Sequence, residues 1–163
     1  MQKADSNGHI IIGMGEFGVA TNGDVLVTIS LGSCVAVILC DPSGGKGGLA
    51  HAMLPSSADF RPPHTAKFVD VAVELMLKEM SSRAGSLYAY IVGGANMFPS
   101  LTNADDLFGI GERNAAAARL ILKAKGIPVR AEDTGKNHGR TVEFRPANCE
   151  VLVKSVKHGI KKL

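Results

Sequence analysis

"TISLGSCVAVILCD" at residues 28–41 and "GGLAHAMLP" at residues 47–55 carry the reading of the fold. The apolar run "CVAVILC" stops at "DPSGGKGG", a turn cluster that cannot continue a strand. A second extended piece follows and ends at Pro55. Paired as a hairpin, the two runs would bring Cys34 and His51 to the same end of the ladder. Cys34 stands directly behind a Gly-Ser corner, where a polar loop turns into the apolar run.

Outward from this segment the pattern alternates in type. "HIIIGM" (9–14) and "DVLVTIS" (24–30) read as short β-rich runs separated by the turn signal "TNGD". Residues 65–82, "TAKFVDVAVELMLKEMSS", place Phe68, Val71, Ala72, Leu75, Leu77 and Met80 mostly on one helical face, with Thr65 as N-cap. "LYAYIV" is a strand running into "GGANMF". A second helix is predicted from about Gly111 through "ERNAAAARLILKAK" to a cap at Gly126. "IPVRAED", "RTVEFR" and "CEVLVKS" read as three more strands. The order βββ(β)αβαβββ predicts an α/β or α+β domain with helices packed on a mixed sheet.

The 163 residues suit one domain spanning 1–163, with residues 1–8 and 157–163 expected as flexible termini. A net charge of +3, much of it in "KSVKHGIKKL", is weak, and no basic face interleaves with aromatics, so no nucleic-acid partner is expected. No apolar run approaches the length of a bilayer span, so membrane insertion is not expected either. The first residues lack the pattern of a secretory leader, and three cysteines form no disulfide framework. A cytoplasmic location with reduced thiols is the expectation.

Four features invite a chemical reading. "GMGEFG" (13–18) matches a dinucleotide-binding pattern but runs into "VATNGDVLV", which cannot open a helix, so its glycines are read as a bend. Cys34, Cys40, His51 and His64 lack metal-ligand spacing, and neither a metal nor a cofactor is expected. Cys40 and Cys149, inside apolar strands, are read as packing residues. Cys34 differs, because Gly32 and Ser33 supply backbone freedom and consecutive amides that could face an oxyanion. His51 is the candidate base for its thiol, and Thr28 or Ser30 the candidate third group on the preceding strand. His138 in "DTGKNHGR" is a rival histidine. Taken alone, these residues leave a packing cysteine and a nucleophile both open.

Taken in order, the segments resemble the CheD family of chemoreceptor glutamine deamidases. "MGEFGVA", "TISLGSCVAVILCD", "GGLAHAMLP", "FVDVAVELMLKEM", "IVGGANMF", "IGERNAAAARLIL" and "DTGKNHGR" follow one another across nearly the whole chain as they do in the family. The resemblance implies Cys34 as nucleophile, His51 as base and acid, and Thr28 as the third catalytic position, with Gly32 and Ser33 supporting the oxyanion. It implies a three-layer α/β fold of mixed sheets flanked by helices, similar to the catalytic domain of the cytotoxic necrotizing factor toxins. The implied substrates are glutamines of chemoreceptor cytoplasmic domains, turned to glutamate through a Cys34 thioester. The implied alternative is an adaptor that binds and stimulates a CheC-type phosphatase. Lys136 stands where a second glycine is expected in "DTGKNHGR". Gly93–Gly94 read as a tight turn or a groove wall, and Glu112, Arg113 and Asn114 as helix caps or partner contacts.

Overall fold

A computed structural model describes residues 4–98 and 109–163. Its strands are β1 (His9–Ile11), β2 (Phe17–Ala20), β3 (Val25–Leu31), β4 (Val35–Asp41), β5 (Lys46–Ala52), β6 (Tyr88–Gly93), β7 (Val129–Thr134), β8 (Arg140–Arg145), β9 (Glu150–Ser155) and β10 (Gly159–Lys162). Its helices are α1 (Val69–Met80) and α2 (Ile110–Ala124). The strands form two five-stranded mixed sheets, ordered β1-β3-β8-β9-β10 and β2-β5-β4-β6-β7.

The central strand β4 explains the layering. All seven of its residues are buried, because each face meets a different layer. Val35, Val37 and Leu39 pack with Val73, Met76, Ala118 and Leu122 of the helices. Ala36, Ile38 and Cys40 point the other way, onto Leu26, Val142, Phe144 and Val151 of the opposite sheet. An unbroken apolar run is therefore what a strand buried on both faces requires. The result is a helix–sheet–sheet sandwich, the three-layer α+β arrangement expected from the sequence.

Several local expectations need correction. Helix α1 begins at Val69 with Phe68 at the N-cap, not at Thr65. Residues 65–68 form a turn closed by Phe68 N donating to Thr65 O, and it is held outside the helix because Lys67 O accepts the N–H groups of Met53 and Leu54 and Phe68 bridges Leu54. The buried face of α1 is Val69, Ala72, Val73, Met76 and Met80, rotated from the face read in the sequence. "TNGD" does not join a hairpin of β1 and β3, which pair in parallel while β2 crosses to the other sheet. Within the tail 157–163, residues 159–162 form β10 on the exposed edge of β9. Of the start, residues 1–3 lie outside the described residues.

Cys40 and Cys149 form a disulfide, with Cα atoms 5.9 Å apart, instead of standing as separate reduced thiols. They are 109 residues apart in the chain, and only the packing of one sheet on the other brings them together.

Candidate functional site

The hairpin of β4 and β5 has the register that the two opening runs suggest, with Ala36 opposite His51 and Val35 opposite Ala52. Cys34 lies one residue before β4 and shares the parity of Ala36. Alternation along the strand thus gives Cys34 and His51 the same face, one diagonal step apart. That face looks toward the opposite sheet, which contributes Thr28 from β3.

His51 is 1% exposed and Thr28 is fully buried. Thr28 Oγ1 donates to Ile12 O at 2.7 Å and lies 2.7 Å from His51 Nδ1. The hydroxyl has one proton, and Ile12 O takes it. Nδ1 must therefore carry the imidazole proton and donate to Thr28, which leaves the Nε2 lone pair as the basic position. Nε2 has no hydrogen-bonding partner among the described residues. Burial holds the His51 pKa below its ordinary value.

Ser30, the other candidate for orienting His51, sits past a register shift in β3 with φ 60° and takes no part in this pair. His138, the rival histidine, packs against His158 at 4.4 Å between ring centroids. The "GMGEFG" bend lies against β5: Gly15 N donates to His51 O at 2.8 Å, and His51 N donates to Glu16 O at 2.9 Å. These bonds fix the backbone of His51 from the side opposite β4.

The loop carrying Cys34 is pinned by its carbonyls. Ala95 N donates to Gly32 O, Gly94 N to Cys34 O, and Asn114 Nδ2 to Ser33 O. In a planar trans peptide N–H and C=O point in opposite directions, so tying these carbonyls turns the Ser33 and Cys34 N–H groups the other way. Gly93 makes the close approach possible. Its φ is 109°, and a Cβ there would lie 2.4 Å from Cys34 O. Gly93–Gly94 are thus both a turn and the support beneath the loop.

The sequence leaves Asn114 open between a helix cap and a partner contact. It is fully buried, and its Nδ2 donates to Ser33 O and to Met53 O, each at 3.0 Å. It ties the Cys34 loop to the residue just past the strand carrying His51. A signal existed: Asn114 precedes Ala118 and Leu122 by four and eight residues, about one and two helical turns, on the buried stripe of α2.

Cys34 is partly exposed and is the free cysteine of the chain. Burial pushes its thiol above the ordinary value, against a smaller opposing backbone hydrogen bond. Both shifts favour the neutral thiol and neutral imidazole over a thiolate–imidazolium pair. Burial is the cause at both groups, and Thr28, which meets His51 Nδ1, carries no charge to oppose it. Among the described residues no group of three or more His, Cys, Asp or Glu is placed to hold a metal ion. No described helix is long and apolar enough to cross a membrane.

Residues 53–155 match the family model described as CheD chemotactic sensory transduction. Over 154 residues the chain is 42% identical to the probable chemoreceptor glutamine deamidase CheD of Caldanaerobacter subterraneus, covering 92% of this chain and 94% of that one. It is 46% identical over 155 residues to the probable chemoreceptor glutamine deamidase CheD of Archaeoglobus fulgidus, covering 93% and 96%. Among solved structures it is similar to Neisseria meningitidis protein NMB0706, at 17% identity and a TM-score of 0.49. That likeness covers 74% of this chain and about half, 53%, of the solved one.

Proposed function

The chain belongs to the CheD family, and from that premise we propose that it is a cytoplasmic protein-glutamine deamidase acting on chemoreceptors through a Cys34 thioester. The observation that carries this reading is the state of His51. Its Nδ1–H is committed to Thr28, its Nε2 lone pair is unpaired, and it shares a strand face with the free thiol of Cys34.

The substrate is the side-chain carboxamide of a glutamine. Nε2 of His51 takes the Cys34 thiol proton as sulfur attacks the amide carbon, so the neutral pair separates charge only during attack. The developing oxyanion is met by the Ser33 and Cys34 N–H groups. Collapse of the tetrahedral adduct breaks the C–N bond while imidazolium returns its proton to the leaving nitrogen, which departs as ammonia. Water then attacks the thioester carbonyl with His51 again as base. The C–S bond breaks, the thiol is re-formed, and glutamate remains. Thr28 orients the ring throughout.

The test is to incubate the protein with receptor cytoplasmic fragments and read glutamine-to-glutamate conversion by mass spectrometry. Conversion by the native chain and none by Cys34→Ala is the expected result. Conversion that survives Cys34→Ala would overturn the nucleophile. No conversion on any receptor fragment would overturn the deamidase in favour of the adaptor of a CheC-type phosphatase.

A further inference from the structure

A cavity of about 660 Å³ opens at the end of the sheet that carries Thr28, with Met97 between it and the Cys34 loop. Two of its lining residues connect it to the catalytic loop. Ser30 lies two residues beyond Thr28, and Met97 packs so closely on Gly32 that a Cβ there would meet it at 3.2 Å. The remaining walls come from the "NHGRT" turn, the end of β9 and the start of β10.

The chemistry of these walls is one-sided. Lys154, Lys157, His138 and Arg140 line the cavity, and its described lining contains no Asp or Glu. Arg140 is engaged by Asp133, and Lys154 by Glu143. Lys157 has no ion pair or hydrogen bond among the described residues. Two buried polar atoms of the lining also lack partners, His138 Nδ1 and Ser155 Oγ. His138 is 7% exposed, so its unpaired nitrogen carries a desolvation cost that bound polar groups would relieve. Ile160, 68% exposed, adds an apolar rim.

We propose that this cavity is the docking groove for the substrate polypeptide and that it selects an acidic segment flanking the target glutamine. The proposal rests on the deamidase reading for the identity of the occupant. Contact with the Cys34 loop through Met97 makes the occupant a part of the substrate, and the unpaired Lys157 ammonium, with no carboxylate in the described lining, makes that part carboxylate-bearing. Each deamidation adds a carboxylate to the substrate, so a groove of this charge favours segments in which neighbouring glutamines have already been converted.

The experiment measures binding, on a Cys34→Ala background that prevents turnover. The probes are a synthetic peptide with one glutamine flanked by glutamates and its counterpart with serine in place of glutamate. The acidic peptide is expected to bind more tightly, with an advantage that shrinks as salt is raised. Lys157→Glu, at an exposed turn, is expected to weaken the acidic peptide about fivefold and to leave the serine peptide unchanged, while Lys157→Arg retains binding. Equal binding of the two peptides, or acidic-peptide binding indifferent to Lys157→Glu, overturns the groove. Because the readout needs no chemistry, charge-selective binding by Cys34→Ala, found beside receptor fragments that the native chain leaves unconverted, upholds the groove as an acidic-peptide site and overturns the deamidase.

Discussion

Thr28 Oγ1 accepts from His51 Nδ1 across the boundary between two sheets, at 2.7 Å, and donates a hydrogen bond of its own to Ile12 O. Thr28→Val keeps the shape and removes both bonds, leaving Nδ1–H and Ile12 O unpaired in a buried setting. The cost is about 1–3 kcal/mol. Much of it falls on ring orientation, so kcat should drop roughly tenfold to a hundredfold, with Thr28→Ser retaining most of the rate. Steady-state kinetics on a receptor fragment separates the two variants.

Asn114→Ala frees the carbonyls of Ser33 and Met53 at once. Loss of about 2–4 kcal/mol of stability is expected from two unpaired buried acceptors. Asn114→Asp should be worse than alanine, because a carboxylate would face two carbonyl oxygens with nothing to donate. Denaturant unfolding ranks the three chains. A fall in kcat larger than any rise in KM, for a variant still folded, identifies the clamp on the Cys34 loop.

The pH dependence follows from burial. His51 has its pKa lowered by burial. His138 is lowered likewise by burial, and further by Arg140. The unfolded chain then binds protons that the folded one does not, so stability rises with pH across the interval from their lowered values to about 6.5 and is fully present above it. Replacing His51 with Gln should flatten that part of the stability–pH curve. Deamidation by the native chain should rise through an acid limb lying below pH 6.5 and hold through neutrality. An acid limb above that value would contradict a neutral, buried base.

Lys136 occupies a left-handed conformation, φ 59°, while its carbonyl accepts from Asn96 N. A left-handed residue with a Cβ costs about 1–2 kcal/mol, and glycine's extra freedom in the unfolded chain offsets about 0.5–1 of it. Lys136→Gly should therefore raise Tm by about 1–4 °C without changing the deamidation rate. Calorimetry beside the kinetic assay reads both.

How much of this was legible in the sequence depended on which interactions are local. The β4–β5 hairpin could be read because a continuous apolar run, a turn cluster and a second run lie side by side. Helix α2 could be read because its buried stripe and Gly126 are local signals. Strand β10, "GIKK", was hidden because an edge strand with all residues exposed and two lysines looks like a solvated tail. The start of α1 was hidden because what holds the turn 65–68 out of the helix is Met53 and Leu54, just past β5 and remote in sequence. The residues alone offered Cys34, His51 and either Thr28 or Ser30 as candidates, and the ordered set of segments favoured Thr28. Asn114 stayed undecided because its partners are two carbonyls on other elements. The pairing of Cys40 with Cys149 likewise follows from sheet packing that no local pattern encodes.

The pair of sheets has a consequence for how such a protein fails. Cys34 and His51 belong to one layer and Thr28 to the other, so the ring's alignment is a property of the interlayer contact and of neither sheet alone. Under the proposed mechanism, a slip of the layers by a fraction of a side chain would silence the chemistry while every strand, helix and hydrophobic cluster stayed intact. Activity is then a finer gauge of the sandwich than any melting curve, and the covalent tie between Cys40 and Cys149 spans the same seam whose closure that gauge reads.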